Sequence, residues 1–80
     1  MVEAGQRYRH YKTGNLYRII ALGKHSETLE PMVVYEAQYE NPESRVWIRP
    51  LSMFEEMVEW PKGSGITVPR FALAQRDAAL

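Results

Sequence analysis

The chain has 80 residues, of which 45% are hydrophobic, contains no cysteine, and balances ten basic residues with ten acidic ones. This length and composition predict one globular domain and exclude a disordered chain, while the missing cysteines exclude disulfides and thiolate metal sites. Zero net charge disfavours general nucleic-acid affinity, and because no apolar run approaches the roughly 20 residues that cross a bilayer, we expect a soluble, cytoplasmic protein with no membrane partner.

Short strands separated by turns dominate the first half of the sequence. Residues 6–12 alternate with a period of two, and Thr13-Gly14-Asn15 follows as a turn before a second strand at residues 16–22. A polar loop then leads to a third strand over residues 32–39. Alternate side chains of this third strand share one face: Val33, Tyr35, Ala37 and Tyr39.

The fourth predicted strand, residues 45–49, carries a tryptophan between basic residues. Strand alternation places Val46 and Ile48 on one face, which we expect to enter the core, and Trp47 on the other face with the arginines. An exposed Trp47 between arginines would form a binding patch. The favoured interpretation is instead that Trp47 closes one end of the fold, with the arginines lying along Glu36 and Gln38 of the third strand.

The last elements are shorter. Ser52 and Glu55 have the spacing of a capping box, which predicts a single helical turn after the fourth strand. Further strands are predicted at residues 57–60 and 66–73, and Pro69 restricts the second of these to the edge of a sheet.

Together, these elements predict a mainly β fold. Five to six short antiparallel strands with one short helical turn fit a small SH3-like barrel. We place this domain at residues 1–73 and expect residues 74–80 to form a frayed C-terminal tail, because this alanine-rich segment is too short for a stable helix.

The loop between the second and third strands concentrates reactive side-chain types. His25 and Ser26 are adjacent, and an extended backbone directs adjacent side chains to opposite faces, so they are poorly placed as base and nucleophile. We therefore interpret the loop as a polar connection that hydrogen-bonds to its own amides. The alternative, a small hydrolase or metal-assisted enzyme around His25, requires His10 and a glutamate of the loop to converge on it. We expect no catalytic residue, bound metal or cofactor.

Aromatic and polar blocks on these strands predict a binding or interaction module. SH3-like barrels bind extended peptides in aromatic-lined grooves, with Trp47 and Tyr11 as the apolar anchors here and Arg49 as the contact for an anionic or carboxylate group. We expect a protein, a peptide or a small anionic ligand as the partner, and the oligomeric state is left open. The candidate ligand-binding residues are His10, Tyr11, His25, Glu27, Tyr35, Trp47 and Arg49.

Weak binding of single-stranded nucleic acid is the alternative function. Basic and aromatic residues interleave in R-Y-R-H-Y-K and R-V-W-I-R-P, a composition in which rings stack on bases and basic side chains contact phosphates. Residues 1–25 hold five Lys or Arg against one Glu, while residues 26–60 hold two against eight. Intramolecular charge balance is the favoured interpretation of this asymmetry. The basic residues that would contact a single-stranded nucleic acid are Arg7, Arg9, Lys12, Arg45 and Arg49.

Five blocks of the sequence resemble the motifs of a known family. They are R-Y-R-H-Y-K, H-S-E-T-L-E, M-V-V-Y, W-I-R-P and V-P-R-F, in this order over roughly residues 5–73. On this basis the chain resembles a family of small bacterial proteins of unknown function, whose members are usually labelled conserved hypothetical proteins. The resemblance implies a small, cytoplasmic, β-rich domain, and it implies no activity, substrate or catalytic residue.

Overall fold

The computed structural model describes residues 2–75, which form seven strands and one helical turn. The strands in chain order are β1 (Arg7–His10), β2 (Leu16–Lys24), β3 (Pro31–Ala37), β4 (Val46–Pro50), β5 (Met57–Glu59), β6 (Thr67–Pro69) and β7 (Phe71–Gln75). The helical turn, α1 (Leu51–Phe54), lies between β4 and β5. One antiparallel sheet has the order β4-β3-β2-β1-β7, and β5 pairs with β6 in a second, two-stranded sheet.

The structure confirms a mainly β, antiparallel fold with one short helical turn. Two details differ: the described residues form seven strands instead of five to six, and hydrogen bonding does not close a barrel, because β4 and β7 are the two edges of the larger sheet. The extra strand arises because the single strand predicted at residues 66–73 is divided into β6 and β7 in the structure. Arg70 interrupts it, since its N–H donates to the Glu56 carbonyl oxygen at 2.9 Å and its own carbonyl accepts from the Tyr11 N–H at 3.0 Å.

The helical turn and the C-terminal strand also refine the predictions. α1 begins directly after Pro50 and no side chain caps it, so the predicted capping box between Ser52 and Glu55 is wrong. Ser52 already lies inside the helical turn, where its backbone cannot adopt the extended geometry of a capping residue. β7 continues through Gln75, two residues beyond the predicted domain boundary. The rest of the predicted frayed tail, residues 76–80, lies outside the described residues.

Aromatic rings make up most of the core between the larger sheet and α1. Phe54 of α1 stacks on Phe71 of β7, with ring centroids 4.2 Å apart and an interplanar angle of 2°. Tyr8 and Tyr35 contact the Phe54 ring edge-on, at centroid distances of 5.1 and 5.4 Å, which is a favourable arrangement of ring quadrupoles. The core cluster comprises Val2, Tyr8, Ile19, Val33, Tyr35, Phe54 and Phe71.

The orientation of β4 differs from the prediction, whereas that of β3 agrees with it. Alternate side chains of β3 from Val33 to Ala37, which were predicted to share one face, are buried. Val46 and Ile48, expected in the core, are 48% and 65% exposed, and Trp47 packs against the core, in line with the favoured interpretation. Trp47 pairs directly with the buried Tyr35, and directly paired residues share a face of the sheet. This register sets the direction of Trp47.

The turn between β1 and β2 depends on one left-handed residue. Gly14 has a φ of +76°, and its N–H donates to the His10 carbonyl oxygen at 2.9 Å. The His10 N–H in turn donates to the Asn15 carbonyl oxygen at 2.9 Å. Because residues with a Cβ reach positive φ only at a cost, glycine is required to close the turn that holds His10 in place.

We expect Gly14→Ala to lower the free energy of unfolding by about 1 kcal/mol. No atom lies within 4 Å of an added Cβ, so the loss would come from backbone strain alone. Gly23→Ala is the matched control, because that position also has open space and does not require positive φ, and we expect no loss there. Urea denaturation followed by circular dichroism measures both variants, and equal effects would contradict the role assigned to Gly14.

Candidate functional site

The concave face of the larger sheet carries a cavity of about 180 Å³, which we call the inner cavity. Strand pairing explains how its walls meet, since Tyr35 lies opposite Trp47 and His10 lies opposite Phe71. Although β4 and β7 are the two edges of the sheet, its curvature brings the Arg49 guanidinium carbon to 5.5 Å from the centre of the Phe71 ring. The lining residues are His10, Tyr17, Tyr35, Trp47, Arg49 and Phe71.

Arg49 brings a positive charge to the inner cavity. Within residues 2–75, no carboxylate lines the cavity, and the Arg49 guanidinium makes neither an ion pair nor a hydrogen bond. Its contact is with the face of Phe71, a cation–π arrangement. Because a guanidinium is permanently charged and carries five N–H donors, this half-buried group is suited to an anionic ligand.

The indole N–H of Trp47 lies buried beside the inner cavity. Its Nε1 atom has no hydrogen-bond partner among the described residues, and a buried, unpaired donor costs about 1–3 kcal/mol. Trp47 and Arg49 are alternate residues of β4 and share its concave face, so the Trp47 ring lines the same cavity as the Arg49 guanidinium.

Tyr17 lines the inner cavity from β2, and its hydroxyl hydrogen-bonds to Tyr39, which lies outside the lining. The hydroxyl oxygens of Tyr17 and Tyr39 are 2.5 Å apart. Burial raises the pKa of Tyr17, and the hydrogen bond to Tyr39 raises it further. The Tyr17 hydroxyl therefore stays protonated at physiological pH and acts as a neutral hydrogen-bonding group, not as a base.

His10 is a neutral member of the inner cavity at physiological pH. Burial lowers its pKa below the ordinary value of 6.5, and the positive charges of Arg49, Arg70 and Lys12 lower it further. Its Nδ1 accepts a hydrogen bond from the Lys12 backbone N–H at 3.2 Å. We therefore assign the ring proton to Nε2, which makes His10 a neutral donor at this site.

We expect the free energy of unfolding to fall as the pH drops below about 6.5, the pKa of an unperturbed histidine. Because the folded-state pKa of His10 is lowered, the unfolded chain binds more protons between the two pKa values, and stability rises with pH through that window. His10→Gln should remove this contribution, while His25→Gln, which changes an exposed ring, should retain it. Denaturation at about pH 5 and about pH 7.5 measures the effect. An unchanged pH dependence in His10→Gln would contradict the assignment.

A second cavity of about 240 Å³, the apolar groove, lies between the β1–β2 turn and the two-stranded sheet. Tyr11 and Trp60 meet edge-to-face in it with ring centroids 5.4 Å apart, and Trp60 remains 37% exposed. His10 borders both the apolar groove and the inner cavity. The groove is lined by Arg9, His10, Tyr11, Gly14, Trp60, Val68, Pro69 and Ala72.

The His25 loop is hydrogen-bonded to itself, as predicted. The His25 Nδ1 accepts from the backbone N–H groups of Glu27 at 3.2 Å and Thr28 at 3.3 Å. The backbone N–H of His25 donates to the Glu30 carbonyl oxygen at 2.8 Å, and the His25 carbonyl oxygen accepts from the backbone N–H of Leu29 at 2.9 Å. All five residues are exposed. The histidine ring therefore stabilises the shape of this loop.

The convergence of His10 and His25 required by the enzyme hypothesis is not found. His10 hydrogen-bonds to Asn15, next to the start of β2, whereas His25 follows its end. The nine residues of β2 extend over roughly 30 Å at about 3.3 Å per residue. Within residues 2–75, no group of three or more His, Asp or Glu side chains is arranged to hold a metal.

Of the seven predicted ligand-binding residues, the inner cavity unites His10, Tyr35, Trp47 and Arg49. Tyr11 lies next to them in the apolar groove, and His25 and Glu27 lie in the separate loop. Sequence reasoning missed Tyr17, Phe71 and Trp60 as site residues. Alternation along β2 from the buried Ile19 would have pointed to Tyr17, whereas Trp60 had no comparable signal.

The basic residues of the nucleic-acid hypothesis do not share one face. Tyr8 and His10 are directed inward on β1, so the alternate residues Arg7 and Arg9 are directed to the opposite face from Arg49. Arg9 donates to the Gly14 carbonyl oxygen at 2.9 Å. The exposed Arg45 pairs with Glu36 at 3.1 Å, as the favoured interpretation of the charge pattern expected. A continuous basic platform is therefore not formed by these side chains.

Comparison with known proteins identifies similar chains of unknown function. The family model described as protein of unknown function (DUF1653) matches residues 6–73. A crystal structure of a DUF1653 protein from Bordetella bronchiseptica is similar, with 32% sequence identity, a TM-score of 0.77, and coverage of 94% of this chain and 90% of that chain. No curated protein matches the chain. Across residues 2–75, none of the helical structure has the length and apolar character needed to cross a bilayer.

Proposed function

We propose that this chain, which belongs to the DUF1653 family of proteins of unknown function, is a binding module that holds a carboxylate group of its ligand in the inner cavity. The observation that carries the proposal is Arg49: its guanidinium lies over the Phe71 ring in a cavity that no carboxylate of residues 2–75 lines. The described part of the chain has nine acidic residues, yet none of them lines this cavity. A ligand carboxylate would supply the missing counter-ion through charge-assisted hydrogen bonds.

The remaining walls are mainly aromatic. The side chains of Tyr35, Trp47 and Phe71 line the cavity, whose volume of about 180 Å³ is large enough for a carboxylate group. The neutral ring of His10 and the protonated hydroxyl of Tyr17 also line it, and both can donate a hydrogen bond to an anion.

The setting we propose is the bacterial cytoplasm. A sequence without cysteine is suited to a reducing compartment, where disulfides do not stabilise small domains. The similar crystal structure comes from Bordetella bronchiseptica, which supports a bacterial origin for this chain.

A titration with capped glutamate, N-acetyl-glutamate N-methylamide, tests the proposed function. We expect it to shift the indole N–H signal of Trp47 in the spectrum of the ¹⁵N-labelled protein, because its carboxylate enters the inner cavity. The chain has two tryptophans, so Trp60 gives an internal reference, and Trp47→Phe assigns the two signals. Capped glutamine has nearly the same shape but an uncharged amide in place of the carboxylate, and it should leave Trp47 unchanged. Equal shifts from both compounds, or none from either, would contradict the proposal.

A further inference from the structure

We infer that the ligand is an extended polypeptide segment in which an acidic residue lies close to a bulky apolar residue. The carboxylate occupies the inner cavity and the apolar side chain occupies the apolar groove. The inference rests on the proposed function, because the inner cavity defines the position of the carboxylate. It adds a second subsite and specifies the chemical class of the partner.

The two cavities are neighbours that share one wall. The ring of His10 contacts Phe71 of the inner cavity at a centroid distance of 5.2 Å and Tyr11 of the apolar groove at 4.8 Å. His10 therefore borders both spaces. Nearby side chains of an extended peptide are several ångströms apart, so one short segment can fill both cavities at once.

The chemistry of the apolar groove suits an apolar side chain. Tyr11, Trp60, Val68 and Pro69 form half of its lining, and aromatic-lined grooves of this kind bind extended peptides. Tryptophan is enriched among the residues that dominate binding energy at interfaces. The half-exposed ring of Trp60 thus provides an anchor whose remaining surface a partner can cover.

Charge selects an acidic partner over a basic one. Arg9 lines the apolar groove and Arg49 lines the inner cavity, and no carboxylate of residues 2–75 is part of either lining. The nearby Glu56 is already paired with Arg70 at 2.7 Å. A lysine- or arginine-rich segment would meet like charge at both subsites, whereas an acidic segment is complementary to them.

Size favours a peptide over a compact small molecule. The cavities have volumes of about 180 and 240 Å³, and each is smaller than the roughly 300–1,000 Å³ of typical small-molecule pockets. Each therefore receives one side-chain-sized group, while the connecting backbone stays at the surface. Small aromatic carboxylates are the competing ligand class, and the experiment below includes one.

The test uses capped peptides that contain glutamate with phenylalanine, glutamate with alanine, or glutamine with phenylalanine. Each pair is made in both orders, adjacent and separated by one glycine. In the best order, we expect glutamate–phenylalanine to bind about tenfold more tightly than glutamate–alanine, because a phenylalanine ring leaves water. Dissociation constants come from the same spectra that follow the Trp47 and Trp60 signals.

Two substitutions locate this gain in the apolar groove. Trp60→Ala removes a wall, and Ala72→Phe fills the space from an exposed position on β7, where it leaves the core intact. Both should abolish the tenfold gain while retaining the shift of Trp47 by capped glutamate. Met57→Ala and Ala74→Phe, at exposed positions on β5 and β7 outside both cavities, are the matched controls and should retain the gain.

The outcomes separate this inference from the proposed function. If capped glutamate shifts Trp47 but phenylalanine adds no affinity in any order, the peptide inference is wrong and the carboxylate site stands. The inference is also wrong if Ala72→Phe leaves the gain unchanged, or if phenylacetate binds as tightly as the best peptide. If capped glutamate fails to shift Trp47, the proposed function itself is wrong.

Discussion

Phe54→Ala is expected to lower the free energy of unfolding by about 3–5 kcal/mol. Phe54 is 1% exposed and stacks on Phe71, while Tyr8 and Tyr35 contact its edges. Alanine would remove the ring around which these aromatic side chains pack and leave a cavity at the centre of the core. A core in a chain this short rarely supplies more than about 3–5 kcal/mol, so we expect the variant to be largely unfolded.

Met53→Ala is the matched control for Phe54→Ala. Met53 precedes Phe54 in α1 but is 47% exposed, and substitutions at exposed positions usually change stability by less than about 0.5 kcal/mol. Urea denaturation monitored by circular dichroism compares the two variants with the unchanged protein. Should Phe54→Ala cost no more than Met53→Ala, the aromatic stack would not be the centre of the core.

Arg49→Gln is expected to weaken the binding of capped glutamate by about tenfold to 100-fold. A hydrogen bond to a charged group contributes about 1.5–3 kcal/mol, and Arg49 is the cation that lines the inner cavity. Arg49→Lys should give an intermediate loss, because lysine retains the charge but not the paired donors of the guanidinium. The fold should persist, since Arg49 has no ion pair within residues 2–75.

Arg45→Gln provides the matched control for the charge itself. Arg45 precedes β4 and pairs with Glu36 at 3.1 Å, with its own side chain 76% exposed. The control loses the same charge from a position outside the inner cavity, so the affinity for capped glutamate should change little. Equal losses in Arg45→Gln and Arg49→Gln would indicate a general electrostatic effect and would contradict the assigned site.

A second readout of Arg49→Gln is independent of any ligand. The positive charge of Arg49 contributes to the lowered pKa of His10, after the larger effect of burial. Removing that charge should raise the pKa of His10 toward 6.5, the ordinary value. A nuclear magnetic resonance titration of the histidine ring measures this change, and an unchanged pKa would mean that the two side chains are farther apart than the structure places them.

Local sequence patterns predicted the strands well, because alternation and turn formation depend on residues that are neighbours in the chain. The alternation that buries Val33 and Tyr35 is present in the sequence of β3, and the turn signal around Gly14 matches its left-handed backbone. The same kind of reasoning indicated that the side chains of His25 and Ser26 point in different directions. It also predicted that their loop hydrogen-bonds to its own backbone. Each of these inferences required only the geometry of a few consecutive residues.

The candidate site was only partly predictable, because its walls come from both edges of a sheet. Alternation showed that Val46 and Trp47 lie on opposite faces, but the two faces of a strand are equivalent until a neighbour is known. Pairing with the buried Tyr35 broke that equivalence and turned Trp47 inward. Likewise, no local pattern indicates that Arg49 reaches the ring of Phe71.

The amino-acid sequence therefore determined the short strands, their alternation, the β1–β2 turn, and the exclusion of disulfides. Long-range pairing and sheet curvature determined which face of β4 is buried, and they joined His10 and Arg49 in one cavity while leaving His25 apart. They also placed Trp60 against Tyr11 to form the apolar groove. The physical reason is that periodicity constrains a residue relative to its chain neighbours, whereas a binding site depends on register and on the approach of strands that are distant in the chain.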